Sequence, residues 1–477
     1  MEFAQFPKNL AYNIKTLSGF SKSTVVLTPD KYATVLHGDT IKVKLPSNTI
    51  VDLRTLTMHF KGTCEAEAAS SKLHFPRLSS SLIKTLAVYI NGTLIERIDN
   101  YNTLYNKLYD LDGGGVDQTA KRFLENSDPS VGYKMVTSSD DKSAGSRINK
   151  CIFGVGNPSD TKQKMMVNNW LGFLSTSSCP CPDTNDLNNV EIEITFDNDK
   201  VLWGSGSATP DVPIVSAGSS YKLEDVKFTI SKIIFNDPLY YNLKASKMLS
   251  SGLQIGYQTY VTSKQASFPK ATSVNVLTTV NTTSLDQIIC CLQPSDVAIT
   301  KLQLAGTNNN VTGKTFNEVF SSSYVATPSG ADSYDKEEGN LYNQSIYFKS
   351  DATGLISSSI EINNTPLMPQ PLDDATVYNE TLISLGNLNQ DMSSGIHPGC
   401  CSLSLFLKYY FTHIVSLENI QQGDFYKSGL DGRASALNIC WKMVFNTSTT
   451  ASFTPYIFCK TTRIMQINEG HSVTVIV

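Results

Sequence analysis

The sequence predicts an all-β protein folded as two tandem domains. Three observations lead there: apolar and polar residues alternate with a period of two in most patterned segments, helical spacing is scarce, and one hairpin-and-helix phrase occurs twice. Length agrees, because single cores stop growing at roughly 250–300 residues and this chain has 477. Composition agrees too: only 17% of residues are charged, the formal net charge is −4, and Thr, Ser and Asn are plentiful. That is the surface chemistry of short strands and turns rather than of long helices.

Each strand is justified by its alternation. In "TIKVKLP", Ile41, Val43 and Leu45 share one face and Lys42 and Lys44 the other. In "VEIEITF", Val190, Ile192, Ile194 and Phe196 oppose Glu191, Glu193 and Thr195, and "VKFTISKIIF" sets Val226, Phe228 and Ile230 on one side. The second half repeats the habit in "SLSLFLKYYF", through Leu403, Leu405, Leu407 and Tyr409, and in "LNICWKMVF", through Leu437, Ile439, Trp441, Met443 and Phe445. Such strands belong to antiparallel sheets with one face in the core and one face wet. The closing "HSVTVIV" predicts a last strand that seals a sheet edge.

The repeated phrase is "VYINGTLIERIDNYNTLYNKLYDLDGGG", which returns as "IEINNTPLMPQPLDDATVYNETLISLG". Ile90-Asn91-Gly92-Thr93 is matched by Ile362-Asn363-Asn364-Thr365, and Tyr105-Asn106 by Tyr378-Asn379. Each copy reads as a strand, a tight turn, a second extended segment and a short helix near the Tyr-Asn pair. In the first copy Tyr101, Leu104, Tyr105, Leu108 and Tyr109 fall at i, i+3, i+4, i+7 and i+8, and Gly113-Gly114-Gly115 ends the helix. In the second, Pro366, Pro369 and Pro371 weaken the return strand and place it at an edge. Two Asn-rich hairpins alike by chance are the alternative.

Domain limits follow from these signals. Residues 1–22 read as an N-terminal arm, with Lys8, Lys15 and Lys22 spaced among apolar residues, or as a frayed terminus. Residues 23–243 form the first domain and 244–477 the second, the boundary lying past Asn236-Asp237-Pro238. Polar stretches at 112–148, 204–220 and 306–340 read as long loops that form an outer surface or meet a neighbour. With no secretory leader pattern and no run near the ~20 apolar residues of a membrane span, the expectation is a soluble protein made in the cytosol.

Chemistry is conspicuous by its weak motifs. Gly313-Lys314-Thr315 looks like the end of a phosphate-binding loop, but the glycine required five residues earlier is Asn308. "DLDGGGVD" imitates a calcium loop through Asp110 and Asp112, yet its twelfth position is Lys121 rather than a bidentate Glu. The six histidines, His37, His59, His74, His397, His413 and His471, are dispersed, and no GxSxG marks a nucleophile elbow. The ten cysteines include Cys290-Cys291, Cys400-Cys401 and Cys179-Pro180-Cys181 without zinc-site spacing, and read as reduced, mostly buried thiols. Asn-x-Ser/Thr triplets such as Asn91-Gly92-Thr93, Asn310-Val311-Thr312 and Asn446-Thr447-Ser448 read as coincidences of an Asn- and Thr-rich chain. The sequence therefore predicts no catalytic, cofactor-binding or metal-binding residues and no cofactor. Its 39 basic residues are scattered among 43 acidic ones, so no basic arm coats phosphates and no direct sequence-specific nucleic-acid binding is expected.

Two tandem β domains, each with a helix after a hairpin and long loops, match the architecture of a double jelly roll, eight strands per roll in two facing sheets. The segments "STVVLTPDKYATVLHGDTIKVKLPSNTIVDLRTLTMHF", "LIKTLAVYINGTLIERIDNYNTLYNKLYDL", "VNNWLGFLST" and "SGLDGRASALNICW" resemble those of major capsid proteins of polinton-like viruses and virophages, most strongly in the first 200 residues. The resemblance implies a structural, non-enzymatic protein of the virion. Its subunits would form homotrimeric, pseudo-hexameric capsomers of an icosahedral double-stranded DNA virus shell, with penton and minor capsid or cement proteins as further partners and a membrane beneath the shell left open. Asp332, Asp335, Glu337 and Glu338 would then lie on an outward tower. Tyr240, Tyr241, Tyr409, Tyr410 and Phe411 are aromatic candidates for trimer contacts or for the core. Two other functions fit the same pattern: a carbohydrate-binding β-sandwich of the fibre or adhesin kind, and an enzyme whose site assembles only in the fold.

Overall fold

The computed structural model describes residues 20–65, 72–76, 78–112, 152–154, 163–176, 179–201, 203–205, 220–235, 242, 244–246, 249, 252–269, 273–294, 348, 350–385, 403, 406–407, 410–418, 429–433, 435–446, 452–468 and 472–476. The arm up to residue 19, most of the three polar stretches, the phosphate-loop imitation with Asn308, Cys400-Cys401, Tyr240, Tyr241 and Tyr409 lie outside the described residues.

Among the described residues twelve strands precede the middle of the chain: β1 (Phe20–Leu27), β2 (Thr34–Leu36), β3 (Thr40–Lys44), β4 (Ile50–Glu65), β5 (Lys72–His74), β6 (Ile83–Ile90), β7 (Thr93–Asp99), β8 (Ile152–Gly154), β9 (Gln163–Val167), β10 (Val190–Phe196), β11 (Trp203–Ser205) and β12 (Ser220–Phe235). Helix α1 (Tyr101–Asp112) follows β7, and the short α2 (Thr184–Leu187) precedes β10. Ten strands follow: β13 (Leu253–Lys264), β14 (Phe268–Pro269), β15 (Ser273–Val280), β16 (Leu285–Pro294), β17 (Leu355–Ile362), β18 (Thr365–Pro366), β19 (Thr412–Ser416), β20 (Leu437–Phe445), β21 (Ser452–Ile467) and β22 (Val473–Ile476), with α3 (Asp374–Ser384) after β18.

The two halves have the same strand order. One sheet of the first half runs β1-β12-β4-β9, and its counterpart in the second runs β13-β21-β16-β19. The other sheets run β3-β10-β6-β7 and β15-β20-β17-β18. Numbering the eight principal strands of either half in chain order, the sheets read 1-8-3-6 and 2-7-4-5 both times. All pairings within these sheets are antiparallel. That is a jelly roll, twice. The first half adds β2 beside β12 and a small β11-β5-β8 sheet; the second adds β14 and β22, both beside β21.

Alternation decides which side of each strand is buried. Val190, Ile192, Ile194 and Phe196 are buried along β10 with the intervening residues partly open, and β20 buries Leu437, Ile439, Trp441, Met443 and Phe445 in the same way. Tyr410 and Phe411 are core residues of the second roll, where Phe411 stacks on Trp441. Strand β22 pairs with Ile464–Ile467 of β21 and β18 is a two-residue edge ending in Pro366, as the sequence predicts.

The repeated hairpin is reproduced to the level of single hydrogen bonds. Asn91 and Gly92 have φ of 51° and 77°, Asn363 and Asn364 of 51° and 64°, the left-handed pair that a two-residue hairpin turn requires. The Asn91 amide donates to the Asn189 carbonyl (2.9 Å), and the Asn189 amide donates back to Asn91 Oδ1 (3.2 Å). In the second roll Asn363 donates to the Asn438 carbonyl (2.8 Å), and Asn438 donates to Asn363 Oδ1 (2.9 Å). Each turn is thus pinned to the seventh strand of its own roll.

Two expectations are corrected. Phe20, Ser21 and Lys22, read as the end of the arm, are the first residues of β1. The described residues of the alternating run 402–411 do not form the expected strand: Leu403, Phe406 and Leu407 are helical, and the Tyr410 amide donates to the Phe406 carbonyl four residues back. Leu403, Phe406, Leu407 and Tyr410 fall at i, i+3, i+4 and i+7, so the same apolar run satisfies both periods, and packing of Phe406 against Tyr378 of α3 favours the helix.

Candidate functional site

Among the described residues no three His, Cys, Asp or Glu side chains gather as a metal site would need. The described histidines are engaged separately: His59 with the Thr229 hydroxyl (3.1 Å), His413 Nδ1 with Ser358 Oγ (2.8 Å), and His37 beside the Tyr221 ring. Burial pushes the thiols of Cys291 and Cys459 up to about 12 and that of Cys179 up to about 11, which leaves them protonated and poor nucleophiles. The side chains of Asp110 and Asp112 lie outside the described set.

What the fold does build is a joint between the two rolls. Strand β7 and the short turn at Gly172–Ser175 of the first roll pack against β13 of the second. The Tyr257 hydroxyl donates to the Ile95 carbonyl (2.9 Å), Thr262 Oγ1 to the Asp99 carbonyl (2.7 Å), and Thr176 Oγ1 to the Gly256 carbonyl (3.0 Å). Phe173 meets Tyr257 edge to face with centroids 5.4 Å apart. Lys107 of α1 is 1% exposed, and its Nζ donates to the Phe348 carbonyl of the second roll (2.6 Å).

Glu96 sits in the middle of this joint, 1% exposed. The Phe173 amide donates to its Oε2 (2.7 Å), and the Thr259 hydroxyl and the Arg463 guanidinium act from the second roll. Burial nevertheless prevails and pushes its pKa up to about 7. Oε1 and the Nε of Arg463 are buried without a hydrogen-bond partner among the described residues. Gly172 lies over the carboxyl at φ 75°, where an added Cβ would stand 2.0 Å from Oε1. Only glycine fits that conformation and that space.

The chain between the rolls is also tied down. Lys244 donates to Asp183 Oδ2 (2.5 Å) and stands 3.1 Å from Asp186 Oδ2. Burial works against its charge, yet the two carboxylates hold its pKa above the usual lysine range. Asp183 meanwhile caps α2 by accepting from the Asn185 amide (3.0 Å).

Sequence reasoning found none of these joint residues. Glu96 lies in "TLIERID" as an ordinary polar residue, and a bulge between Val88 and Tyr89 disturbs the alternation there. The one usable signal was the unusual glycine in "NNWLGFLS", a position where the backbone must turn left-handed.

The arrangement defines a class: two jelly rolls of one strand order joined through a buried, hydrogen-bonded contact. No protein-family model matches the sequence, and no curated protein matches it. Solved structures do match in fold. A chain of the PBCV-1 virus capsid superposes with a TM-score of 0.58 at 11% identity, covering 97% of this chain and 98% of that one. The Faustovirus major capsid protein gives 0.57 at 9% identity, with coverage of 98% and 93%. A chain of the Sputnik virophage gives 0.55 at 11% identity, with coverage of 96% and 89%. At such identities the likeness is one of fold, and it spans both rolls. The chain has the double jelly-roll fold of viral capsid proteins.

Proposed function

We propose that this chain is the major capsid protein of an icosahedral double-stranded DNA virus, and that three copies close into a capsomer with a six-sided outline. The observation that carries the reading is the full-length sharing of the double jelly roll with viral capsid chains. Physical support comes from the repeat itself, since two blocks of one strand order in each of three chains supply six similar wedges. The rolls divide at about residue 244, and the segment before β1 serves as an arm toward neighbours. Penton and cement proteins would complete the shell. In this role the protein has no reaction to catalyse; the buried joint does the work by keeping the two wedges at one angle.

Permanent assemblies commonly bury more than ~2,000 Å² per interface, so the capsomer is expected to survive dilution. Purified full-length protein should therefore elute from light-scattering chromatography at three times the 52.3 kDa of one chain and show a six-sided outline in electron micrographs. A stable monomer at all concentrations overturns the reading.

A further inference from the structure

Among the described residues six buried side-chain polar atoms have no hydrogen-bond partner: Thr63 Oγ1, Glu96 Oε1, Asn168 Oδ1, His413 Nε2, Thr461 Oγ1 and Arg463 Nε. Three of the six meet in the joint. Strands β13 and β21 pair with Thr259 opposite Thr461 and Tyr257 opposite Arg463, so these four side chains share one face, the Cβ atoms of each opposed pair about 5 Å apart. Glu96 reaches that face from the first roll. Its carboxyl takes the Thr259 hydroxyl, and the carbonyl of its neighbour Ile95 takes the Tyr257 hydroxyl at 2.9 Å. Strand register thus brings Glu96 Oε1, Thr461 Oγ1 and Arg463 Nε to one patch.

Unpaired polar atoms are costly when buried, and folded proteins keep them few, so three on one patch require a common explanation. The side chains do not supply it themselves. The Phe173 amide holds Glu96 Oε2 at 2.7 Å, and Gly172 lies so close that an added Cβ would stand 2.0 Å from Oε1 and 2.5 Å from Oε2. The carboxyl is therefore fixed in place and does not swing to meet Arg463. Bulk solvent does not supply it either, since Thr461 is 0% exposed and Glu96 1%.

We infer that the joint holds a buried water molecule, bound by Glu96 Oε1, Thr461 Oγ1 and Arg463 Nε. The hydrogen-bonding inventory fits a single water. Arg463 Nε–H only donates, an ionised carboxylate oxygen only accepts and the threonine hydroxyl does either, so the water accepts from Arg463, donates to Glu96 and shares its third bond with Thr461. When Glu96 is protonated at Oε1 the carboxyl donates instead, and the water gives its hydrogen to Thr461. One site serves both forms. Three bonds are the usual complement of a buried water, and a polar lining separates a hydrated site from a dry void. The water also extends the joint. The hydrogen bonds of Ile95 and Asp99 end on the edge strand β13, whereas the water ties β7 to β21, the strand between β13 and β16.

The test is made on full-length protein in two ways. Thr461→Val keeps the shape of the side chain and removes only its hydroxyl. With the water in place the exchange costs one of its three bonds, and the melting temperature is expected to fall by about 2–4 °C. Without it the exchange relieves an unpaired hydroxyl, so a variant that melts at or above wild type overturns the inference. A crystallographic or cryo-electron-microscopic map of wild type, at a resolution that shows other buried waters, is expected to carry a peak within hydrogen-bond reach of all three atoms. A map with no density there overturns the inference whatever the variant does. So does a peak that depends on chloride in the buffer, which would mark an anion instead.

Discussion

The first and second jelly rolls share strand order, hairpin turn and helix, yet they dress the same frame differently. On the outer face of the first roll's 2-7-4-5 sheet, Lys42 reaches Glu193 (2.9 Å) and Glu191 (3.7 Å), a row of charges suited to water. The matching face of the second roll keeps one such pair, Lys442 with Glu361 (2.5 Å), and exposes Leu277, Ile356 and Val444 around it. The helices differ more: α1 is buried at every residue from Tyr101 to Lys107, whereas α3 buries only Val377 and Thr381. The two rolls share what the backbone needs to fold and differ in the side chains they turn outward.

The sharpest way to test that contrast is to truncate the matched helix residues. Lys107→Ala removes the buried donor to the Phe348 carbonyl and opens space in the joint, at a cost of about 4 kcal/mol. Glu380→Ala touches a half-open position and should cost less than about 0.5 kcal/mol in the separated chain. Denaturant melts of the two variants, compared with wild type at one protein concentration, measure the difference. Equal losses would mean that α1 is not enclosed as described.

Acidity should act on the two regions in opposite directions. Burial holds Glu96 protonated up to about pH 7, against 4.5 for a free glutamate. Its share of stability is complete below pH 4.5 and is lost as pH rises to 7, on the order of 3 kcal/mol across the window. His413, inside the second roll, is pulled down to about 4 from 6.5 by burial. Its share is complete above pH 6.5 and is lost as pH falls toward 4, by a similar amount. The two windows overlap from pH 4.5 to 6.5, where the opposite slopes offset each other, so stability should be level there and fall on either side. Glu96→Gln should remove the descent above pH 6.5 and unmask the rise that His413 drives between pH 4 and 6.5; a profile unchanged by that variant would remove Glu96 as its source.

How much of this was legible follows from where each signal resides. The hairpin at Asn91-Gly92, the helix from Tyr101 and the alternation of β10 and β20 depend on neighbours in sequence, and the residues announce them. Strand β19, "THIVS", went unread because both of its faces are covered and a covered strand does not alternate. The run at 402–411 carried two periods at once, and only contact with α3 chooses between them. Glu96, Lys107 and Lys244 look like solvated charges because what buries or pairs them lies in the other roll or far along the chain: Thr259, Phe348 and Asp183. The joint is therefore written in tertiary contacts, while the two blocks it joins are written locally.

The smallest expected effect tests the repeated turn itself. Gly92 and Asn364 occupy the same left-handed position, at φ 77° and 64°, and a side chain added at Gly92 would meet nothing within 4 Å. Exchange at this position therefore changes only backbone conformational energy. Asparagine tolerates the left-handed region at a small cost that glycine avoids, and glycine loses more freedom on folding, so the two terms nearly cancel. Asn364→Gly should stabilise the second roll by less than about 1 kcal/mol and Gly92→Asn should destabilise the first by a similar amount. Calorimetric melts of the two variants should shift in opposite directions. Shifts of the same sign would show that the two turns, alike in φ and in their bonds to the seventh strand, do not carry equivalent strain.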